Sequence, residues 1–327
     1  MIRRLACAVV FALPLSTAAG CKKHTTDAIA VVPKGTTHEY WKSVHAGAEK
    51  AAQEFGVNII WKGPLREDDR EDQIKTVETF TNMHVKGIVL APLDDTALVP
   101  VVTDAVRVGI PVVAIDSSIK TDDIVSFVAT DNYRGGRLAG DYLAKLLADQ
   151  GQVMMLRYTE GSASTAERER GFLDAIKLHQ GITVASANQY GGVTTETAFK
   201  ASENLLAANK GPGGLTVQGI FCPNESTAFG MLRALEENSL AGKVRFVGFD
   251  SSPKLVDAMA KGHLDATVVQ DPIKMGYLSV KAMIDHLAGR PVDKRIDTGA
   301  TLIARDGMNG TDAQALLNPD FKRWLKE

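Results

Sequence analysis

From Thr25 onward the chain repeats one pattern, a short β-branched apolar run followed by a longer amphipathic stretch. Ala28–Val32, Val57–Trp61, Gly87–Ala91 and Val112–Ile115 open the series, each bounded by polar or turn residues. It continues through Ser126–Thr130, Gln152–Leu156, Ile182–Ala187, Val217–Cys222, Val244–Gly248 and Ala266–Val269. Runs this short and this uniformly apolar read as strands buried on both faces. The stretches between them have helical spacing. Trp41, Val44, Ala48, Ala51 and Phe55 share one face, and Gly56 stops that helix. Ile273, Tyr277, Val280, Ile284 and Leu287 form another such stripe. Strand–helix alternation of this kind predicts an α/β fold with a parallel sheet covered on both sides. About ten strands are too many for one open sheet of ordinary size and suit two of about 4–6. Two doubly wound lobes follow, in a chain of 327 residues. No Pro/Ser-rich linker separates them, so the boundary must be a short crossover, with Ala129–Asp131 the best candidate.

The N-terminus breaks the pattern. Arg3 and Arg4 precede an apolar stretch from Leu5 to Leu15, and Ser16, Thr17, Ala18, Ala19 and Gly20 supply small residues before Cys21. A basic, apolar, small-residue order is that of a secretory leader. Ending in Gly-Cys, it resembles a bacterial lipobox with Cys21 as the acylated residue, although Ala18 stands where Leu is more usual. The alternative is an ordinary leader with Cys21 incidental. Cys7 lies inside the leader, so the folded part holds only Cys222, set in an apolar run and read as a small core residue. With 37 Lys plus Arg against 39 Asp plus Glu, the net charge of −2 offers no basic domain for nucleic acid.

In open α/β sheets ligands bind beyond the carboxyl ends of the strands. Those ends carry Thr36 to Trp41, Asp116-Ser117-Ser118, Arg157 to Ser162 with Arg168 beyond, Gln189-Tyr190, Pro223 to Ser226, Asp250-Ser251-Ser252 and Gln270-Asp271. Carboxylates, amides, an arginine and aromatic rings make a set suited to a neutral polyol. Taken singly, several have a purely structural reading. Asp94, Asn132, Asn224 and Asp250 each precede a helical stretch, a placement that reads equally as an N-cap. The acidic run Glu67 to Asp72 reads as a solvated helix start.

Together these residues resemble the ribose-type periplasmic sugar-binding proteins of ABC transporters, which share their fold with the ligand-binding core of Lac-repressor-type regulators. The resemblance spans about Ile29 to Ile296. It is carried by Ser126 to Asn132 with Gly135-Gly136, by Gly161 to Phe172, by Asn224-Glu225 with Gly230 and Ala234-Leu235, by Val247 to Pro253, and by Ala266 to Gln270. It implies the type I periplasmic binding protein fold, with two lobes joined by a multi-crossover hinge. The implied plan is a leader over 1–20, a first lobe from 27–130 plus 272–296, a second lobe from 131–271 and a C-terminal tail over 297–327. It also implies a pocket in which Tyr40 and Trp41 cover the sugar ring. Asp116, Arg168, Asn224, Asp250 and Gln270 bind hydroxyls there, with Tyr190 as a second-lobe stacking ring. Two departures argue against ribose itself. The family's Asp-Arg pair is Asp116-Ser117 here, and His38 stands where an amide is common.

The expected function is therefore capture of a sugar or related polyol and its delivery to a transporter permease. The protein would act as a monomer held to the membrane by lipid on Cys21, without a cofactor. The alternative is a sensor presenting a small solute to a membrane receptor. A transcriptional regulator would need a DNA-binding domain where the leader stands. An enzyme is disfavoured because the sequence has no Gly-x-Ser-x-Gly, His-Glu-x-x-His, Cys-x-x-Cys or phosphate loop. Its seven histidines show no metal-ligand spacing.

Overall fold

The computed structural model describes residues 26–325, so Cys21 and the leader lie outside the described residues. Two six-stranded sheets share one topology. The chain first lays down β1 (Ile29–Val32), α1 (Glu39–Phe55), β2 (Ile59–Trp61), α2 (Arg70–Asn82), β3 (Gly87–Leu90), α3 (Val99–Arg107), β4 (Val112–Ile115) and β5 (Ser126–Ala129). It continues with α4 (Asn132–Leu146), β6 (Gly151–Met155), α5 (Ala163–Ile176), β7 (Ile182–Ser186) and α6 (Thr195–Ala208). A small hairpin, β8 (Lys210–Gly211) and β9 (Gly214–Leu215), leads into β10 (Gly219–Phe221), α7 (Glu225–Glu237), β11 (Arg245–Phe249), α8 (Pro253–Lys261) and β12 (Ala266–Gln270). Last come α9 (Pro272–Leu287), β13 (Arg295–Asp297), β14 (Ala300–Ala304), α10 (Thr311–Leu317) and α11 (Lys322–Leu325).

The first sheet runs β13-β5-β4-β3-β1-β2 and the second β14-β12-β11-β10-β6-β7. All neighbours within them are parallel except β14, which is antiparallel to β12. In both sheets the order reverses beside the first strand, which places a ligand crevice at the carboxyl ends. The strands β1, β3, β4, β10 and β12 are buried along their whole length, as their continuous apolar runs require.

Two helices cross between the sheets. Helix α4 follows β5 of the first sheet, yet Leu143 and Ala144 pack with Val153, Phe221 and Val247 of the second. Helix α9 follows β12 of the second sheet, yet Met275, Val280 and Met283 pack with Val31, Val89 and Val113 of the first. Each begins with an aspartate N-cap at the crossover, Asp131 bonding Arg134 N–H and Asp271 bonding Lys274 N–H, both at 2.9 Å. Glycines let each crossed helix meet its partner backbone to backbone. A Cβ at Gly47 would lie 2.0 Å from Ile273 O, and one at Gly136 would lie 1.9 Å from Arg168 O. The second contact fixes where Arg168 stands.

One expectation of regular structure is corrected here. Residues 297–327 do not form a mere tail after the last lobe. β14 pairs with β12 over five residues, and Leu317 joins the core of the second sheet. The glycines Gly299, Gly307 and Gly310 turn the chain between these elements rather than preventing them. The Gly211-Pro212-Gly213-Gly214 segment forms the turn of the β8–β9 hairpin.

Candidate functional site

The carboxyl ends of the two sheets face each other across a cavity lined by residues of both. Asp116 and Asp250 occupy equivalent places in it, each directly after the fourth strand of its sheet and each followed by two serines. Both hold left-handed backbone, φ 61° and 69°. Each donates its N–H to the neighbouring strand, Asp116 to Val128 O at 3.1 Å and Asp250 to Val268 O at 2.8 Å. Aspartate tolerates this conformation better than most residues, and strain at such positions concentrates where a side chain must be aimed. The turn sends both carboxylates into the cavity.

Asp116 is tied to β1 and to the second sheet. Lys34, two residues past β1, reaches it at 2.8 Å and also donates to Ser164 Oγ at 2.9 Å and Ser162 Oγ at 3.4 Å, both second-sheet residues. Tyr40 OH donates to Asp116 Oδ1 at 2.9 Å. Ser117 accepts Ser164 N–H at 3.0 Å. The end of β1 thus sets a cation beside the carboxylate that follows β4.

Asp250 accepts Gln270 Nε2 at 2.7 Å and Glu225 N–H at 3.2 Å, and lies 3.7 Å from Arg168. Arg168 donates to Asn132 Oδ1 at 2.8 Å and to Pro223 O at 2.9 Å, with its guanidinium 3.9 Å over the Phe249 ring. Asn132 donates in turn to Asp116 O at 3.2 Å, so one amide links the two aspartate turns. Burial, with Asp116 beside it, raises the Asp250 carboxyl above its ordinary value despite Arg168. Asn224 caps α7, its Oδ1 accepting Thr227 N–H at 3.3 Å, and also lines the cavity. It caps a helix and lines the cavity at once. Asp250 does not cap α8; that role falls to Ser252, which accepts Leu255 N–H.

The largest departure from expectation is Glu67. It is buried, not solvated, because three donors converge on it. Trp41 Nε1, His38 Nδ1 and Tyr158 OH each lie 2.7 Å from its carboxylate. Trp41 therefore lines the cavity with its indole N–H fixed, packed edge-on against Tyr40 with ring centroids 5.0 Å apart. Burial alone would drive the His38 imidazolium to release its proton, but Glu67 outweighs burial and holds the pKa at about 9. Burial likewise opposes the Glu67 charge, and His38 and Lys34 overcome it, holding that carboxyl at about 2.

Tyr190 does not join the cavity. It forms an isolated bridge with Arg157, whose guanidinium lies 4.4 Å over its ring. Gly191 and Gly192 bond back to Arg157 O and Tyr158 O and hold this segment beside the end of β6. Of the remaining expected residues, Tyr40, Trp41, Asp116, Arg168, Asn224, Asp250 and Gln270 come together. Sequence reasoning missed Lys34, Glu67, Ser164 and Thr165 and left Tyr158 and Glu225 unselected. Lys34 carried a readable signal, since it lies just past a predicted strand. Glu67 carried none, since its neighbours Arg66, Asp68 and Asp69 are exposed charges.

Residues 29–291 match the family model described as a periplasmic binding protein domain. The ribose import binding protein of Haemophilus influenzae is 31% identical over 300 residues, 92% of this chain and 98% of that protein. The D-allose-binding periplasmic protein of Escherichia coli is 31% identical over 276 residues, 81% of this chain and 87% of the relative. Among solved structures, a carbohydrate transporter solute-binding protein from Agrobacterium radiobacter in complex with D-arabinose superposes with a TM-score of 0.84. It is 34% identical, covering 89% of this chain and 98% of that one. A glucose-galactose binding protein from Geobacillus stearothermophilus gives 0.81 at 30% identity, covering 86% and 99%.

Proposed function

Because the chain belongs to the periplasmic binding protein family, we propose that it captures a sugar or related polyol between its two lobes and delivers it to an ABC transporter permease. The observation that carries this reading is the convergence of Asp116 and Asp250, from equivalent turns of two sheets, on one cavity lined by Tyr40, Trp41, Arg168, Asn224 and Gln270. Paired carboxylates, a forked guanidinium and amides recognise vicinal hydroxyls, and the aromatic rings cover a pyranose or furanose face. The lobes are taken as 27–130 with 272–296 and 131–271, closing about the crossovers where Thr130 bonds Gly299 O and Asp131 N–H meets Asp297.

The ligands named for the relatives are ribose, allose, arabinose, glucose and galactose, all neutral sugars. That range supports the class, while the replacement of arginine by Ser117 and the entry of Lys34 and Glu67 support a ligand other than ribose. The leader and Gly20-Cys21 support export and a lipid anchor, with the protein working as a monomer in the periplasm or at the outer face of the cell envelope. The test is a thermal-shift screen of the purified protein against monosaccharides and polyols, since binding to the native state raises its melting temperature. A hit should vanish in Asp250→Ala while the ligand-free variant still melts cooperatively. A screen without hits, or an undiminished shift in the variant, would sink the reading.

A further inference from the structure

Three basic and four carboxylic side chains line the cavity: Lys34, His38 and Arg168 against Glu67, Asp116, Asp250 and Glu225. Three pairs form among them. Lys34 meets Asp116 at 2.8 Å, His38 meets Glu67 at 2.7 Å, and Arg168 lies 3.7 Å from Asp250. Glu225 is left over. Among the described residues its carboxylate receives one long hydrogen bond, 3.5 Å from Tyr40 N–H, and no salt bridge. Tyr40 belongs to the first turn of α1 and Glu225 to the first turn of α7. Those helix ends favour an anion, but each supplies only about half a charge and none of the hydrogen bonds an ammonium offers.

A half-buried carboxylate without a cationic partner is costly unless a ligand completes it. Resting on the reading of this site as a sugar site, we propose that the preferred ligand is an amino sugar whose protonated amine is received by Glu225. The hydroxyl-binding set then orients the ring, and the fourth carboxylate selects for the charge. Burial pushes the Glu225 carboxyl up to about 7, with Asp250 adding to the effect and His38 opposing it, which is the behaviour of a group short of a cation.

The test is calorimetric titration at pH 7.5 with matched pairs differing only in one group: D-glucose and D-glucosamine, D-galactose and D-galactosamine, D-mannose and D-mannosamine. At least one amine should bind tenfold or more tightly than its neutral partner. Glu225→Gln should remove that preference while retaining the wild-type melting profile. Should that variant not fold, the wild-type preference itself should shrink about tenfold at pH 5.5. There the amine is more fully charged, so the loss must come from protonation of the protein. The groups facing Glu225 are His38, Glu39, Asp250 and the Tyr40 amide. His38 keeps its charge across this range, and Glu39 is engaged by Lys42 at 2.9 Å. Asp250, whose carboxyl is also raised, receives hydroxyls common to both members of a pair, so its protonation weakens both and cancels in the ratio. Neutral sugars binding as tightly as their amines would overturn the inference and leave the sugar reading standing. No binding by either kind would overturn both.

Discussion

His38→Gln isolates the ion pair at Glu67. Glutamine keeps a hydrogen-bond donor but carries no titrating charge. His38 is raised from 6.5 to about 9, so its contribution is complete below pH 6.5 and is lost as pH rises through 9. Glu67 is depressed from 4.5 to about 2, so its contribution is complete above pH 4.5 and is lost as pH falls through 2. The two shifts describe one contact from its two ends and are not added. At about 1.4 kcal/mol per tenfold change in proton affinity, the pair is worth about 3 kcal/mol between pH 4.5 and 6.5. About 2 kcal/mol of this should disappear between pH 7.5 and 9.5. Glu225 does not confuse that interval, because a carboxyl at about 7 is already ionised above it. Urea melts of the wild type at those two pH values should differ by about 2 kcal/mol, and those of His38→Gln by less than about 0.5 kcal/mol. An equal alkaline loss in the variant would refute the assignment of the charge to His38.

Three further outcomes can be checked with single variants. Gly136→Ala places a methyl 1.9 Å from Arg168 O, and should cost about 1–3 kcal/mol or more in urea melts and weaken sugar binding; Gly213→Ala, with nothing within 4 Å, is the neutral control. Lys34→Met strands Asp116 and should cost about 3–5 kcal/mol by the same assay, whereas Lys34→Met with Asp116→Asn should recover much of it; no recovery would show that the pair is not the source. Cys21→Ser should move the protein from the membrane to the soluble fraction on cell fractionation, and a variant that stays with the membrane argues against lipid attachment.

The strands and helices that frame the site were legible because a buried parallel strand cannot hide its composition: Val112–Ile115 admits no other reading. Asp116, Arg168, Asp250 and Gln270 were reachable because topology puts strand ends and crevice together. Glu67 was not, since an acidic residue beside Arg66 and Asp68 looks the same whether solvent or His38 receives it. Its burial depends on Trp41 and Tyr158, 26 and 91 residues away in sequence. Tyr190 failed for the opposite reason. It lies near a strand end, as the rule asks, but Gly191 and Gly192 bond back to Arg157 O and Tyr158 O just past β6, and no periodicity records such a turn. β14 was overlooked because Ala300–Ala304 is mostly half-exposed and follows Gly299, and only its partner β12 makes it a strand.

The exchange of α4 and α9 between the sheets has a consequence for how the molecule comes into being. The first sheet lacks its α9 cover and its β13 edge until residue 297 has been made. The second sheet waits for β14 at Ala300–Ala304. Neither half can finish while the chain is still growing, and contacts spanning much of the sequence must close before either core is dry. Such long-range closure slows folding. It also binds the halves into a single cooperative unit, so that heat or urea should melt them together rather than in sequence. A nascent chain with this topology cannot complete either sheet until β13 and β14 have been made.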